Sequence, residues 1–281
     1  MKIALLSFNR PGYLDQVIKS IKTQSFDDYE IILFQDGAIN KYSWRRAANQ
    51  ADIDDSIQIF KDAFPRSETI ISDVNIGIAE NWHCAEHTLF SEANAKEVLF
   101  LEDDLVLSDY YFETIYNMFN EFRDDPEIGF FNAYGEVPKE KNPSEMVAMG
   151  HLWSYGTTKK AWEKRQDFFS KYYSIVEGKD YAYRSVPDIE VLHSKVGAKK
   201  GIANSQDGAK SVAGLLCNQI KVSPSVNMGK YIGEVGFHAT PAFYSDRGFA
   251  QMPVYDTGAI KDFVVNKEDI RKNLLQKYMG K

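Results

Sequence analysis

The sequence predicts an α/β protein with a mixed, mostly parallel sheet flanked by helices. Through the first half of the chain, apolar runs of strand length alternate with segments in which apolar residues recur at helical spacing. Strands that alternate with helices in this way form parallel sheets with right-handed crossover connections. Three of the apolar runs end directly in polar residues. Because ligands bind at the carboxyl ends of parallel strands, these polar residues indicate one common binding site.

The first half contains strands and helices in alternation. Pro11 suits the first turn of a helix, and Pro65 stops the next one. The predicted strands are Ile3–Phe8, Glu30–Phe34, Glu68–Ile71 and the apolar run from Val98, and the predicted helices begin at Pro11, run from about Trp44 to Phe64, and run from Ile78 to Glu92.

The second half is predicted to continue with a different pattern of elements. Ser108 or Asp109 is expected to cap an aromatic-rich helix. Pro224 cannot donate to a strand ladder, which predicts an edge strand around it. Residues 194–205, rich in glycine, lysine and alanine, are expected to be mobile. The predicted helices are Tyr110–Phe122, Lys159 to about Tyr173, Asp207–Ile220 and Lys267–Tyr278, and the predicted strands are Ile128–Asn132, Val147–Tyr155 and Val222–Asn227.

Composition excludes several classes of protein. The chain has 281 residues, of which 44% are hydrophobic, so it can bury a large core and is not a disordered chain. A formal net charge of −7 and the lack of a long basic run argue against nucleic-acid binding. Cys84 and Cys217 fit no zinc or disulfide spacing, so buried thiols are expected. No stretch reads as a bilayer span and Met1–Lys2 leads into a strand without a signal-peptide pattern, so we expect a cytoplasmic protein, with the inner face of the membrane as an alternative location.

An apolar run from Val98 to Leu101 passes directly into the acids Glu102, Asp103 and Asp104. Three adjacent carboxylates repel one another and are costly to hold next to a core. A hard divalent cation removes that cost, since Mg²⁺ and Mn²⁺ prefer oxygen ligands. A cation held by one or two carboxylates keeps positions open for phosphate oxygens, so a nucleoside diphosphate group is the expected ligand. The alternative is an ordinary solvated acidic turn.

Several segments resemble those of A-type glycosyltransferases, the GT-A enzymes with a Rossmann-like fold, nucleotide-sugar donors and an Asp-x-Asp metal motif. Ser7–Leu14 is similar to the first strand–helix junction of that fold, and Asn75–Asn81 to its Asn-x-Gly-x-x-x-Asn stretch. Glu102–Leu105 and Gln35–Asp36 resemble segments of the N-acetylglucosaminyltransferase I group. The segments that resemble bacterial polysaccharide glycosyltransferases are Trp153–Thr157, Ser205–Asp207, Pro224–Asn227 and Gly236–Thr240.

This resemblance implies an enzyme that moves a sugar from a nucleotide-diphospho-sugar, a UDP-sugar first of all, to an acceptor hydroxyl with inversion and with Mn²⁺ or Mg²⁺ as cofactor. It implies one GT-A domain over residues 1–250, in which 1–107 bind the nucleotide sugar and 108–250 bind the acceptor, followed by a tail, 251–281. The implied acceptor is a glycan or lipid-linked glycan in bacterial surface polysaccharide synthesis. Two alternatives stay open: a nucleotidyltransferase that makes the activated sugar, and a non-catalytic nucleotide-sugar-binding module.

A group of polar side chains at the strand exits and on the following helices are candidates for the donor site. Asp36 can accept from a base N–H, with a helix cap as the alternative. Arg10 can pair with phosphate or with Asp36, with an ordinary surface position as the alternative. The resemblance implies that Asp103 faces the ribose. The donor-site candidates are Ser7, Asn9, Arg10, Asp36, Asn81, Glu102 and Asp103.

Asp104, the last acid of the motif, is the expected metal ligand. Some members of the resembled fold complete the metal shell with a late histidine, so His238 is a second candidate ligand, with a structural histidine as the alternative. Asp207 is the candidate catalytic base because it lies where a loop leads into a helix, whose dipole would lower its pKa. The alternative is that Asp207 or Ser205 only caps that helix, and Asp188 is the second candidate base.

Two further groups of side chains have competing interpretations. His83 and His87 share a helix face at metal-like spacing, but the helix around them is apolar and we expect packing there. His151, Trp153 and Tyr155 are candidates for lining the acceptor or sugar pocket, because sugars stack on aromatic faces, with core packing as the alternative.

The predicted C-terminal helix, Lys267–Tyr278, combines basic and apolar residues. A basic amphipathic helix can lie on an anionic membrane, which would suit a lipid-linked acceptor. Docking of the helix on the domain is the alternative.

Overall fold

A computed structural model describes residues 1–135, 142–236 and 240–280. The strands are β1 Lys2–Ser7, β2 Glu30–Gln35, β3 Thr69–Ile71, β4 Glu97–Glu102, β5 Leu105–Leu107, β6 Ile128–Phe131, β7 Glu145–Ala148, β8 Ser154–Thr158, β9 Ile220–Pro224, β10 Gly229–Tyr231 and β11 Val264–Val265. Across these described ranges, nine strands form one sheet in the order β11-β7-β9-β6-β8-β4-β1-β2-β3, and β5 pairs with β10 in a small second sheet.

The predicted mixed, mostly parallel sheet is confirmed. β1 pairs in parallel with β2 and β4, and β2 pairs in parallel with β3. β8 runs antiparallel between β4 and β6. The carboxyl ends of β1, β2 and β4 therefore meet at one edge of the sheet.

Helices cover the sheet on both faces, and their sequences explain where they form. In the first helix, Pro11 occupies the first turn, as predicted, and Leu14, Val17 and Ile21 are fully buried at helical spacing. The helices are α1 Pro11–Lys22, α2 Gln50–Ala63, α3 Ile78–His87, α4 Tyr111–Phe122, α5 Lys159–Val176, α6 Val186–Lys195, α7 Gln206–Leu216, α8 Pro241–Asp246 and α9 Lys267–Tyr278.

The prediction of an edge strand around Pro224 is wrong. β9 lies inside the sheet, with β6 on one side and β7 on the other. Pro224 is the last residue of β9, so its missing N–H falls where the ladder ends.

Other predicted boundaries shift for local reasons. The single strand predicted over Val147–Tyr155 is two strands, β7 and β8, joined by a buried connection that includes Leu152. α2 begins later than predicted, because Trp44 has a left-handed backbone with φ of 58° and is 78% exposed. The helix predicted to reach Ile220 ends at Leu216, since Ile220 already pairs in β9. The helix predicted over Ile78–Glu92 has those bounds, as α3 up to His87 followed by one π-helical turn over Thr88–Glu92.

Smaller expectations about the second half have mixed outcomes. Neither Ser108 nor Asp109 caps α4 through its side chain; instead the Ser108 carbonyl accepts from Tyr111 N–H at 3.1 Å. Of the stretch 194–205, the first two residues end α6 and residues 196–205 join α6 to α7; the mobility of the stretch stays a prediction. Cys84 and Cys217 are free thiols, half-buried rather than buried.

The C-terminal helix α9 has the predicted bounds and docks on the domain. Ile270, Leu274 and Tyr278 are buried in the same core cluster as residues of β1, β2 and β4. Lys267 forms an ion pair with Asp125 at 2.6 Å. The apolar face of α9 is therefore covered by the chain itself, which favours docking over membrane contact. Among the helices in the described ranges, none is long and apolar enough to cross a membrane.

Candidate active site

The acidic motif occupies the edge of the sheet where three strands end. Glu102 is the last residue of β4, and Asp103 and Asp104 form the turn into β5. Leu6 of β1 lies opposite Glu102, so the residues that follow β1 enter the same edge. The chain thereby brings the segment from Ser7 onward against the acids.

Arg10 binds both aspartates of the turn. Its Nη1 donates to Oδ2 of Asp104 at 2.7 Å, and its Nη2 donates to Oδ1 of Asp103. Burial acts to lower the pKa of Arg10, but the two carboxylates raise it overall. Phe8 N–H donates to Asp103 Oδ2 at 3.2 Å, so Asp103 is held by β1 as well as by Arg10. Arg10 is thus neither a surface residue nor a partner of Asp36 in this structure.

The pKa values of the carboxyl groups of Glu102 and Asp104 are both raised. Burial raises the pKa of Asp104 to about 6, against the favourable charge of Arg10. Burial, together with repulsion from Asp104 and Asp207, raises the pKa of Glu102 well above its usual range. Oδ1 of Asp104 is buried, and within the described ranges it has no hydrogen-bond partner. A buried acceptor of this kind is a candidate ligand-binding atom.

The donor set fits a hard cation only in part. Asp104 and Glu102 offer oxygen ligands of the kind that Mg²⁺ and Mn²⁺ prefer, whereas Asp103 is turned toward Arg10 and β1. In the described part of the chain, no three His, Cys, Asp or Glu side chains surround one position suited to a metal. A cation here would rely on phosphate oxygens and water for its remaining ligands. His238 lies outside the described residues, and its assignment stays a prediction.

A segment from the second half of the chain covers the acidic turn. β10 pairs with β5, and Ile232 N–H then donates to the carbonyl oxygen of Asp104 at 2.9 Å. A Cβ at Gly233 would lie 2.7 Å from Oδ2 of Asp104 and would also collide with the Tyr231 hydroxyl. A side chain at position 233 would therefore displace Tyr231 or Asp104. Val235 N–H donates to the Tyr13 hydroxyl at 3.3 Å, which ties the segment to α1.

Aromatic rings line the region beside this segment. Trp153 stacks on Tyr231, with ring centroids 4.3 Å apart, and on His151 at 4.1 Å. Trp153 and His151 are half-buried, so they stay near the surface of the site. Burial lowers the pKa of His151 well below its usual range, so it is neutral at physiological pH. Tyr155 is not part of this group, because it is fully buried between Trp82 and Phe100.

Asp36 organises the start of α3. Its carboxylate accepts from Gly37 N–H at 2.9 Å, Ile76 N–H at 2.8 Å, Gly77 N–H at 3.0 Å and Asn75 Nδ2 at 2.8 Å. Burial raises the pKa of Asp36 to about 6, although these backbone bonds act to lower it. Asp36 thus binds the residues just before α3, whose N-cap residue is Gly77, and it is not itself the cap residue of a helix. Contact between Asp36 and a nucleotide base stays a prediction.

The remaining donor-site candidates lie close to the backbone of the same edge. Ser7 Oγ lies 3.5 Å from Asp103 Oδ2. Asn81 is buried and donates to the Phe34 carbonyl at 3.3 Å, which joins α3 to β2. Asn9 is half-buried beside them. Their contact with a donor stays a prediction.

Asp207 lies in the first turn of α7, and Ser205 is the residue that caps it. Ser205 Oγ accepts from Gly208 N–H at 3.4 Å, so the cap does not use Asp207. Gln206 Nε2 donates to Asp207 Oδ1. Burial raises the pKa of Asp207, while Lys210 and Lys221 act to lower it. The lowered pKa expected from the helix dipole is therefore wrong, because loss of solvent outweighs it.

Asp207 is near enough to Glu102 to raise the pKa of that carboxyl group by repulsion. The structure thus brings α7 and the end of β4 to a common region, although their residues are far apart in the sequence. Asp188, the second candidate base, is exposed in the first turn of α6.

A family model described as glycosyl transferase family 2 matches residues 3–176, which is more than half of the chain. The chain belongs to glycosyl transferase family 2. Its mixed sheet with flanking helices is the GT-A fold expected from the sequence. The narrower resemblance to the N-acetylglucosaminyltransferase I group is not confirmed. No curated protein gives a significant match to this family 2 chain.

Solved glycosyltransferase structures resemble the family 2 chain at low identity. TarS 1–349 from S. aureus aligns over 98% of this chain and 70% of its own, at 12% identity and a TM-score of 0.45. For a longer TarS structure, this chain covers only 36% of the other, at 10% identity and a TM-score of 0.44. An active-site mutant of LgtC aligns over 99% of this chain and 96% of its own, at 14% identity and a TM-score of 0.41. At such values these similarities do not bear on the substrate.

Sequence reasoning missed a buried polar cluster behind Asp207. Lys210 Nζ lies 2.8 Å from Glu86 Oε1 and donates to the Tyr155 hydroxyl at 2.9 Å. Tyr155 in turn donates to Glu86 at 2.7 Å, and Lys210 lies 4.3 Å from the centre of the Trp82 ring. Glu86 and Lys210 occupy inward positions of two amphipathic helices, α3 and α7. A charged residue of opposite sign at an inward position of each helix was the signal in the sequence that could have predicted this ion pair.

Proposed function

We propose that this family 2 chain transfers a sugar from a nucleotide-diphospho-sugar to an acceptor hydroxyl, with Mn²⁺ or Mg²⁺ and with inversion. The observation that carries the proposal is the convergence of Glu102, Asp104, Asp207 and Arg10 at the carboxyl edge of the sheet. Charged groups of opposite sign at the carboxyl ends of parallel strands suit a donor with a diphosphate leaving group. UDP-sugars are the first donors to test, following the sequence resemblance.

The donor half of the site would neutralise the leaving diphosphate. Arg10 provides a planar guanidinium group that can donate two parallel hydrogen bonds to phosphate oxygens. Asp104, with Glu102 beside it, would hold the cation, which when bound acts as a Lewis acid on the diphosphate. Phe8 and Ser7 fix Asp103 at the same edge, where it can face the ribose.

Asp207 would act as the catalytic base. The acceptor oxygen attacks the anomeric carbon, the bond from that carbon to the diphosphate oxygen breaks, and the diphosphate leaves with the electron pair. Asp207 takes the proton of the acceptor hydroxyl. Its raised pKa brings its basicity closer to that required near neutral pH. Attack from the side opposite the leaving group produces inversion.

The acceptor would lie against the aromatic rings beside the acidic turn. Trp153 is half-buried and stacks on both Tyr231 and His151, so the part of its ring that stays exposed offers an apolar contact to a sugar. This placement supports a glycan or lipid-linked glycan acceptor. A role in bacterial surface polysaccharide or glycoconjugate synthesis rests on the sequence resemblance.

Calorimetric titration of UDP, GDP, CDP and dTDP, each with and without Mn²⁺, tests the donor class. We expect one nucleotide to bind in the micromolar range only when Mn²⁺ is present. Turnover of the matching nucleotide sugar with a glycan acceptor should follow. Absence of binding by all four nucleotides would contradict the proposal. Metal-dependent binding without any turnover would favour a binding module, and consumption of a nucleoside triphosphate with a sugar phosphate would favour a nucleotidyltransferase.

A further inference from the structure

Arg10 controls access to the two aspartates of the acidic turn. The side chains of Asp103 and Asp104 are 3% and 4% exposed, whereas that of Arg10 is 24% exposed. The Ile232–Val235 segment covers the turn from another side through its bond to the Asp104 carbonyl. A cation that approaches Asp104 from solvent therefore meets the guanidinium of Arg10.

Arg10 already supplies part of what a cation would supply. Its guanidinium donates to one oxygen of each aspartate, so it reduces the repulsion between them. Oδ2 of Asp104, at 2.7 Å from Nη1, cannot bind a metal closely while it accepts this bond. A divalent cation beside the guanidinium would also be repelled by its charge. Arg10 and the cation are thus competitors for Asp104.

Arg10 nevertheless does not satisfy both carboxylate oxygens of Asp104. Oδ1 of Asp104 is buried and has no hydrogen-bond partner among the residues that the structure describes, which is unusual for a carboxylate oxygen next to a guanidinium. This oxygen gives Asp104 capacity for a second ligand besides Arg10.

We propose that Arg10 is an internal counter-ion that couples binding of the donor to binding of the cation. Without a donor, Arg10 holds Asp103 and Asp104 and weakens the affinity of the site for a cation. The diphosphate of the donor offers the guanidinium a second set of oxygen acceptors and draws it away from Asp104. Both oxygens of Asp104 then become available to the cation, so each ligand increases the affinity for the other. This inference rests on the proposed donor and cation chemistry of the site.

Mn²⁺ titrations of the wild type and of Arg10→Gln, without any nucleotide, test the competition directly. Glutamine keeps a polar side chain but removes the charge, so we expect Mn²⁺ alone to bind about tenfold tighter to Arg10→Gln than to the wild type. Arg10→Lys is the matched control, since it keeps a positive charge, and its affinity should stay close to that of the wild type. The double variant Arg10→Gln with Asp104→Asn should lose the gained affinity, which would locate the Mn²⁺ on Asp104.

A measurement on the wild type covers the case in which Arg10→Gln does not fold. Side-chain ¹⁵N spectra of arginine, assigned with Arg10→Lys, should show hindered rotation of the Arg10 guanidinium in the free protein. Saturation with UDP and Mg²⁺ should shift this signal. An Arg10 signal unchanged at saturation would overturn the inference.

The remaining outcomes separate this inference from the proposed function. Equal Mn²⁺ affinity of the wild type and Arg10→Gln, with UDP binding still dependent on Mn²⁺, would overturn the inference and leave the proposed function in place. Binding of UDP without any effect of Mn²⁺ would overturn both the inference and the metal requirement. Failure of UDP to bind under any condition would overturn the proposed donor chemistry as well.

Discussion

At the scale of single residues, the candidate site depends on carboxyl groups that the fold removes from water, almost wholly at Asp104 and in part at Glu102 and Asp207. Asp104 and Glu102 have raised pKa values because burial and mutual repulsion disfavour their charged forms. The pKa of Asp207 is raised chiefly by burial, while the charges of Lys210 and Lys221 act to lower it. Carboxyl groups in this condition are typical of catalytic and ligand-binding sites.

Asp104→Asn should abolish Mn²⁺-dependent binding of the nucleotide, because the amide nitrogen replaces an oxygen ligand and removes the charge. Calorimetric titration with UDP and Mn²⁺ measures the loss. Asp167→Asn is a suitable control, since Asp167 is an exposed acid of α5 that pairs with Lys171. Undiminished Mn²⁺-dependent binding by Asp104→Asn would show that another residue holds the metal.

Asp207→Asn should lower kcat by about 10²–10⁴-fold and leave the KM for the donor nearly unchanged, because it removes proton transfer but not donor contacts. The base must be ionised, so the wild-type kcat should fall as pH decreases through the raised pKa of Asp207. The apparent pKa of the acidic limb of the kcat–pH profile should therefore lie above the pKa of an ordinary aspartate. Steady-state kinetics across pH measure both effects. A wild-type rate in Asp207→Asn, with a slow Asp188→Asn variant, would move the base to Asp188.

At the scale of elements, α7 joins the site to the core. Its first turn carries Asp207, and one turn later Lys210 enters the buried cluster with Glu86 of α3 and Tyr155 of β8. The attraction between Lys210 and Glu86 outweighs burial and lowers the pKa of Glu86 overall. The orientation of α7, and with it the position of Asp207, thus depends on an ion pair beneath the sheet edge.

Lys210→Met should lower the free energy of unfolding by about 3–5 kcal/mol, because it leaves Glu86 buried without its counter-charge. Urea unfolding measures the change. The lowered pKa of Glu86 implies that its stabilising contribution exists above its unfolded pKa and is lost as pH falls through its folded pKa. The difference between the wild type and Lys210→Met should therefore narrow at acidic pH.

Lys171→Met is the matched control for this prediction. Lys171 pairs with Asp167 on the exposed face of α5, with side-chain exposures of 58% and 89%, so the control should change the unfolding free energy by no more than about 1 kcal/mol. Equal effects of the two substitutions would contradict the importance of the buried pair.

At the scale of the whole molecule, the two halves of the chain and the C-terminal helix share one core. The main cluster contains Leu5 of β1, Phe112 of α4, Met146 of β7 and Leu274 of α9. The predicted division at residues 107 and 250 stays a prediction. The packing of α9 indicates that the last part of the chain contributes to the stability of the whole.

Leu274→Ala should lower the free energy of unfolding by about 2–5 kcal/mol, since Leu274 is 2% exposed and its removal leaves a cavity. Urea unfolding measures this change, and Lys272→Ala on the exposed face of α9 is the control, with an expected change within about 0.5 kcal/mol. Sedimentation with anionic vesicles should show no binding that depends on Lys272. A stable Leu274→Ala variant together with Lys272-dependent vesicle binding would support the membrane alternative for α9.

Much of the fold could be predicted because its signals are local. Apolar runs and helical spacing correctly located β1, β2, α1, α5 and α9. Predictions failed where a distant partner decided the outcome. Pro224 lies inside the sheet because β7 pairs beside β9, and Asp36 bonds to the start of α3 because β2 ends next to it.

By itself, the sequence determined the α/β class, the alternation of elements and the position of the acids at a strand exit, because these depend on spacing along the chain. Only the tertiary structure decided that Arg10 neutralises Asp103 and Asp104, that Ser205 rather than Asp207 caps α7, and that Lys210 pairs with Glu86. These contacts join residues of different elements, or depend on which polar group loses its water. Spacing along the chain does not encode either property, since burial and charge pairing arise only when the elements pack together.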